Sequence, residues 1–362
     1  MNVDDPPGGA PPPLGTPILA EPGLALPPSA PVIALRVVGR NLELQLSPAK
    51  NSFTLGSAKP PEVDLTLDSA HVSRLHALIH RKGNRLTIVD QRSTNGIYWR
   101  NHREPSFEVV AGASFRVAEV ALLALDEQLA LLRPRLLWAL GLGAHDAVDA
   151  ALEDVALDTP LLVLGKPGSD QEAIARDIHA TSPRRAAGLV VAPSHFDSRG
   201  DQVAALVQAS RGTLFADLGR DGTLPSFFVS HLFGDTYHVR PIIAAPTYER
   251  AAAVLGADHA RRMRVINVPP IADRRNDVPR LLDAMLVQAG SSRSVAELGD
   301  ERVTALQAFD WPRNFDDLRR TAPRLLALIE HRKLTPAAQA LGITKASLHE
   351  ALDRIGIRAG DL

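Results

Sequence analysis

"LLVLGKPGSDQEAIARDIHATSPRR", residues 161–185, puts an apolar run, a glycine-containing loop and a helical pattern in immediate succession. Strand, loop, helix is the context a phosphate-binding loop requires. Its glycines let backbone amides approach the phosphates, and a lysine at its end reaches the outer oxygens. Here Gly165 and Gly168 are present, but Asp170 stands at the final glycine position and Gln171 at the lysine position. A carboxylate roughly 5 Å from a phosphate charge repels it by about 3 kcal/mol at an effective dielectric near 20. Gln171 supplies only a neutral donor, and Lys166 lies at the loop entrance. The stretch reads as the frame of a nucleotide site without its cation.

Outward from this stretch, "AVDAALEDVAL" (147–157) has apolar residues at helical spacing. "GTLFAD" (212–217) and "VRPIIAA" (239–245) are strand-like. Strands alternating with helices predict a mostly parallel α/β sheet. The ordered set of 161–185, "GTLFADLG", "VRPIIAAPT", "INVPPIADRRNDVPRLL" and "WPRNFDDLRR" resembles the AAA+ domain of bacterial enhancer-binding proteins, the activators of sigma-54 RNA polymerase, over about half the chain. The resemblance implies a nucleotide site at Gly165, Gly168, Asp170 and Gln171, with Asp217 left to hold magnesium. It also exposes what is missing. The glutamate expected beside Asp217 is Leu218, and the arginine expected in the lid motif is Asp316. Arg261, Arg262 and Arg264 lie near where arginines acting in trans would be, in a segment too altered to assign them. Residues 186–211 hold no counterpart of the family's sigma-54-gripping loop. Phosphoryl transfer is mostly positioning and charge stabilisation. The expectation is therefore an inactive pseudo-ATPase: no catalytic residue, no cofactor, and neither ATP nor magnesium bound.

Before this region, residues 32–126 alternate short apolar runs with turn residues and show no helical period, which predicts an all-β sandwich or barrel. "KGN" (82–84) suits a hairpin turn. "HVSRLHA" (71–77) and "DQRSTNGIYW" (90–99) gather hydroxyls, an amide and a guanidinium on loops that could chelate a phosphate. Either stretch alone equally suits ordinary turns. Together with "FTLG" (53–56) and "VDLTLD" (63–68), they resemble the forkhead-associated (FHA) domain, a reader of phosphothreonine peptides. The resemblance implies that Ser73 and Arg74 face phosphate from one loop, that Thr94 and Asn95 do so from the next with Asn95 holding the peptide backbone, and that Gly56, His76 and Gly96 are structural. Ser57 stands where the family usually has a phosphate-touching arginine. Absence of that guanidinium costs about 1.5–3 kcal/mol, unless Arg74 or Lys59 compensates.

At the other end, "HRKLTPAAQALGITKASLHEALDRIGI" (331–357) reads as helix, tight turn, helix, with Gly342 ending one helix and Thr344 capping the next. It resembles the factor-for-inversion-stimulation (Fis) type of helix-turn-helix. That resemblance places Lys345, Ser347 and His349 on DNA. Arg332, Lys333, Lys345, Arg354 and Arg358 outnumber Glu350 and Asp353. A helical hairpin serving dimerisation is the competing reading.

The bulk numbers limit the rest. A chain of 362 residues has room for two to three domains. A net charge of -1 excludes a uniformly basic nucleic-acid binder. The absence of cysteine excludes disulfides and thiolate metal sites, and no metal ligand set is expected. The proline-rich start lacks the order of a signal peptide, and no stretch is long and apolar enough to span a bilayer, so a cytoplasmic, bacterial protein is expected. The expected layout is a disordered leader (1–31), an FHA sandwich (32–126), a degenerate AAA+ α/β domain (127–290), a helical lid (291–330) and a helix-turn-helix (331–362). The function expected is that of a transcriptional regulator or signalling adaptor. It would bind a phosphothreonine-containing protein from a Ser/Thr kinase pathway and dock on DNA as a homodimer, with no membrane association. Two alternatives stand beside it: a phosphopeptide-binding scaffold without DNA binding, and a sigma-54-dependent activator with residual nucleotide binding.

Overall fold

Alternating apolar residues between 32 and 125 fold as two packed sheets. In the computed structural model, which describes residues 30–219 and 221–358, the first strands are β1 (Ala34–Val37), β2 (Leu42–Gln45), β3 (Ser52–Gly56), β4 (Leu65–Thr66), β5 (Ala77–Lys82) and β6 (Arg85–Asp90). They continue as β7 (Ile97–Trp99), β8 (His102–Glu104), β9 (Ser106–Val109), β10 (Ser114–Val117) and β11 (Val120–Leu125). One sheet runs β2-β1-β11-β10-β7-β8 and the other β4-β3-β5-β6-β9. The unit is a sandwich, not a barrel. Phe53, Leu55, Ile79, Leu86, Ile88 and Phe115 lie in the core between the sheets. The β5–β6 hairpin closes with Lys82 opposite Arg85, and Gly83 supplies the left-handed backbone of its turn at φ +61. Residues 1–29, where most of the expected leader falls, lie outside the described residues.

The α/β region follows as α1 (Glu127–Leu140), α2 (His145–Ala156), β12 (Leu161–Leu164), α3 (Gln171–Thr181), β13 (Leu189–Val191) and α4 (Arg199–Gln208). Then come β14 (Thr213–Asp217), α5 (Ser226–Leu232), β15 (Arg240–Ala245), α6 (Tyr248–Leu255), α7 (Ala257–Arg262) and β16 (Arg264–Asn267). The sheet is parallel throughout, in the order β13-β14-β15-β12-β16. Side chains of successive strand residues point to opposite faces. Accordingly Leu161, Val163, Phe215, Ile242 and Ala244 pack with α1, α2 and α3, while Leu162, Leu214, Ala216, Ile243 and Ala245 form a separate core on the other face. The chain crosses to one side of β12 for β13 and to the other for β16. The loop after β12 therefore opens at a reversal of strand order, where α/β folds bind ligands.

Asp126 caps α1, accepting the Leu129 amide at 2.9 Å, yet packing does not stop at this junction. Ala34, Leu123 and Leu125 of the sandwich share a core with α1 and α2. Arg36, 1% exposed, pairs at 2.7 Å with Asp149, which is fully buried. The other Asp149 oxygen accepts the Gly39 amide at 3.0 Å. The sandwich is thus built into the α/β body and is not tethered to it.

The helical end consists of α8 (Val278–Gln288), α9 (Asp300–Ala308), α10 (Asn314–His331), α11 (Leu334–Ala340) and α12 (Lys345–Arg354). One apolar core runs from Ile271 through Leu281, Trp311, Phe315 and Leu325 to Leu348 and Ile357. This core crosses the expected boundaries at 290/291 and 330/331. Val278, Leu281, Leu282 and Leu286 of α8 bury in the same core as α10, and so do Ala337 and Ala338 of α11 and Leu348 and Leu352 of α12.

Candidate functional site

In the sandwich, hydrogen bonds stitch the two sequence-marked loops together. Ser73 Oγ accepts the Thr94 amide at 3.2 Å, and Asn95 Nδ2 donates to the His71 carbonyl at 2.8 Å. Buried His76 holds both loops from below. Its Nδ1 accepts the Ser73 amide at 3.0 Å, which leaves the proton on Nε2 to donate to the Gly96 carbonyl at 3.0 Å. Gly56 has no room for a side chain, since a Cβ would lie 2.0 Å from the Arg74 carbonyl oxygen. Gly96 sits at φ +71, and its Cβ would meet Arg103 Nε at 2.3 Å. All seven residues marked by sequence in this unit therefore meet at one edge of the sandwich.

Charge at this edge is thin. Arg74 is exposed and paired with Glu62, and Lys59 is exposed. Ser57 donates its amide to the Ser73 carbonyl at 2.9 Å and brings no cation. Two supporting residues escaped the sequence reading. The Asp90 carboxylate accepts the Ser93 hydroxyl and, at 3.2 Å, the Ser93 amide. From β8, Arg103 Nη2 donates to the Ser93 carbonyl at 3.2 Å. Asp90 had a local signal, three residues from Ser93 in a turn. Arg103 had none.

At the α/β mouth, Gln171 folds back and its Nε2 donates to the Gly165 carbonyl at 2.8 Å. Asp170 caps α3 with a left-handed backbone, φ +59, and its carboxylate pairs with Arg319 of α10. Burial raises the Asp170 carboxyl above its ordinary pKa, partly offset by Arg319. Asn314 bridges loop and lid. Its Nδ2 donates to the Pro167 carbonyl at 2.9 Å, and its Oδ1 accepts the Ile271 amide at 2.9 Å. The Phe315 amide donates to the Gly168 carbonyl at 3.0 Å. Gly168, at φ +78, lies so close to the lid that a Cβ would stand 2.2 Å from the Arg313 carbonyl oxygen. Asp217 is exposed and accepts the Gly219 amide at 2.9 Å, while Leu218 is buried. Asp316 pairs with Arg319 at 3.3 Å. These residues do not fit a magnesium-bound triphosphate. A carboxylate stands at the loop, the lysine position offers an amide already engaged to backbone, and the lid bonds the loop directly.

On α12, Thr344 Oγ1 accepts the Ser347 amide at 3.1 Å and meets the Ser347 hydroxyl at 2.9 Å. Ser347 thus serves the helix cap, whereas Lys345 and His349 are exposed. Among the described residues, no cluster of three His, Asp or Glu side chains could hold a metal, and no helix is long and apolar enough to cross a membrane.

Comparison with known proteins agrees with this division. Residues 53–116 match the family model of the FHA domain. The chain is 31% identical over 204 residues to the nitrogen assimilation regulatory protein NtrX of Azorhizobium caulinodans, covering 46% of this chain and 45% of that protein. It is 28% identical over 224 residues to the hydrogenase transcriptional regulatory protein HoxA of Cupriavidus necator, covering 51% and 46%. The chain spans about half the length of these curated relatives. Among solved structures, NtrX of Brucella abortus aligns over 58% of this chain and 68% of its own, at 18% identity and a TM-score of 0.40. The chain carries an FHA domain, fused to a region similar to bacterial enhancer-binding regulators.

Proposed function

We propose that this chain is a transcriptional regulator that senses a phosphothreonine-containing protein through its sandwich, and whose α/β centre is a closed scaffold working without ATP. Ser73, Thr94 and Asn95 carry the reading, because they converge on one edge and are held there by His76. Arg74 and Lys59 supply the charge a phosphate needs. One relative is named a nitrogen assimilation regulatory protein and the other a hydrogenase transcriptional regulatory protein, and a helix-turn-helix reading of α11 and α12 suits docking on DNA, commonly as a dimer on paired half-sites. The centre acts as a rigid connection between the two ends. Lid and loop bond each other where a cation and a triphosphate would otherwise meet.

The test is binding of a phosphothreonine peptide library to the full chain. Hits are expected from the wild type, and Ser73→Ala and Asn95→Ala should erase them. Hits that survive both substitutions would contradict the site. A second reading, a phosphopeptide-binding scaffold that does not touch DNA, is favoured by the exposed Glu350 and Asp353 on α12. Binding of random duplex that weakens linearly in a log–log salt plot removes that reading.

A further inference from the structure

α12 alone is a poor partner for a phosphate backbone. Leu348 and Leu352 turn into the core, so by helical spacing the opposite side carries Ala346, Glu350 and Asp353. Glu350 also pairs with Arg354 at 3.2 Å. The charges of Lys345, Glu350, Asp353 and Arg354 therefore cancel along the helix. Affinity for DNA without regard to sequence comes from cations that neutralise phosphates and release counterions. They must come from a neighbouring element.

That element is α10. Arg313, Arg320 and Arg324 line a groove of about 270 Å³ whose other wall includes Ser347, Glu350 and Arg354 of α12. Arg313 is tied to Asp317 at 3.1 Å. Arg324 donates through Nη1 to the Arg320 carbonyl at 3.0 Å, and among the described residues its other nitrogens have no partner. Among the described residues, no hydrogen bond or ion pair engages the exposed Arg320 side chain. Residues four apart on a helix are neighbours on one face, so Arg320 and Arg324 present their guanidinium groups side by side along the groove.

We infer that the α10–α12 groove is a DNA-backbone clamp in which Arg320 and Arg324 of the lid helix neutralise phosphates while α12 lies against the duplex. The inference rests on the DNA-docking reading above and adds the source of its electrostatic affinity. It also makes the lid, closed on the loop through Asn314 and Arg319, part of the DNA-binding surface.

The experiment measures binding of the full chain to a random-sequence duplex as a function of salt. Arg320→Ala with Arg324→Ala should flatten the log–log slope by about 1.8, at about 0.9 for each phosphate no longer neutralised. Arg320→Lys with Arg324→Lys should keep the wild-type slope, because both charges remain. Alanine favours the helix, so loss of fold does not confound the first pair, and far-UV circular dichroism checks it. An unchanged slope in the double alanine variant overturns this inference alone. No duplex binding by the wild type overturns it together with the DNA-docking reading. An acidic peptide that binds the wild type but not the double alanine variant, while DNA binding persists, assigns the groove to a protein partner and also overturns the inference.

Discussion

Asn314→Ala is the sharpest perturbation of the closed centre. Asn314 is 2% exposed and sits at φ +48, a left-handed backbone that asparagine tolerates and alanine does not, at about 1–2 kcal/mol. Its Oδ1 is the partner of the Ile271 amide at 2.9 Å, and Ile271 is fully buried. Stranding that buried donor costs about 1–3 kcal/mol. The Pro167 carbonyl, which accepts Asn314 Nδ2, belongs to an exposed residue and can turn to water, so its release adds little. The sum is about 2–5 kcal/mol, concentrated where the lid meets the loop. Because the chain has several units, a single unfolding midpoint is the wrong readout. Amide hydrogen exchange reports local opening instead. The Ile271 and Phe315 amides should exchange on the order of a hundredfold faster in the variant, at about 1.4 kcal/mol per decade. Asn314→Gly removes the backbone cost but still strands the Ile271 amide, so a smaller change is expected. Protection at Ile271 and Phe315 that is unchanged by Asn314→Ala would refute the reasoning.

Three further outcomes are expected. Glu62→Ala should tighten phosphothreonine-peptide binding up to about fivefold by calorimetric titration, because it releases Arg74 from an exposed pair worth at most about 1 kcal/mol; weaker binding would contradict Arg74 as a phosphate ligand. Asp149→Ala should cost up to about 3–5 kcal/mol of protection in amide hydrogen exchange at the joint, since it leaves buried Arg133 without Asp149 and buried Arg36 with only the partly exposed Glu43 at 3.6 Å; a near-neutral effect would deny the joint its electrostatic role. Burial holds the His179 imidazole below its ordinary value of 6.5, so below that pH the unfolded chain binds the proton more readily and stability is lost as pH falls through 6.5. His179→Asn should flatten that dependence in the hydrogen-exchange protection factors of the α3 amides, and superimposable profiles would assign the loss to other groups.

What the sequence made legible was local. The β5–β6 hairpin needed only the turn residues Gly83 and Asn84 between alternating strands. The strand–loop–helix around Gly165 followed from apolar spacing, and the loop's missing charge from two letters, Asp170 and Gln171. What stayed hidden depended on partners distant along the chain. Nothing near Asp170 announces Arg319, and nothing near Arg36 announces Asp149, because a salt bridge between elements leaves no periodic signature at either end. Arg103 supports the Ser93–Thr94 loop from a strand whose sequence looks like any exposed edge. α8 reads as an ordinary amphipathic helix, and only the core it shares with α10 groups it with the helical end.

Closure of the centre without nucleotide is tested most directly by equilibrium titration of the full chain with magnesium-ATP. No saturable binding is expected, with or without a phosphothreonine peptide present. Saturable binding that disappears with Gln171→Ala or Asp217→Ala would contradict it.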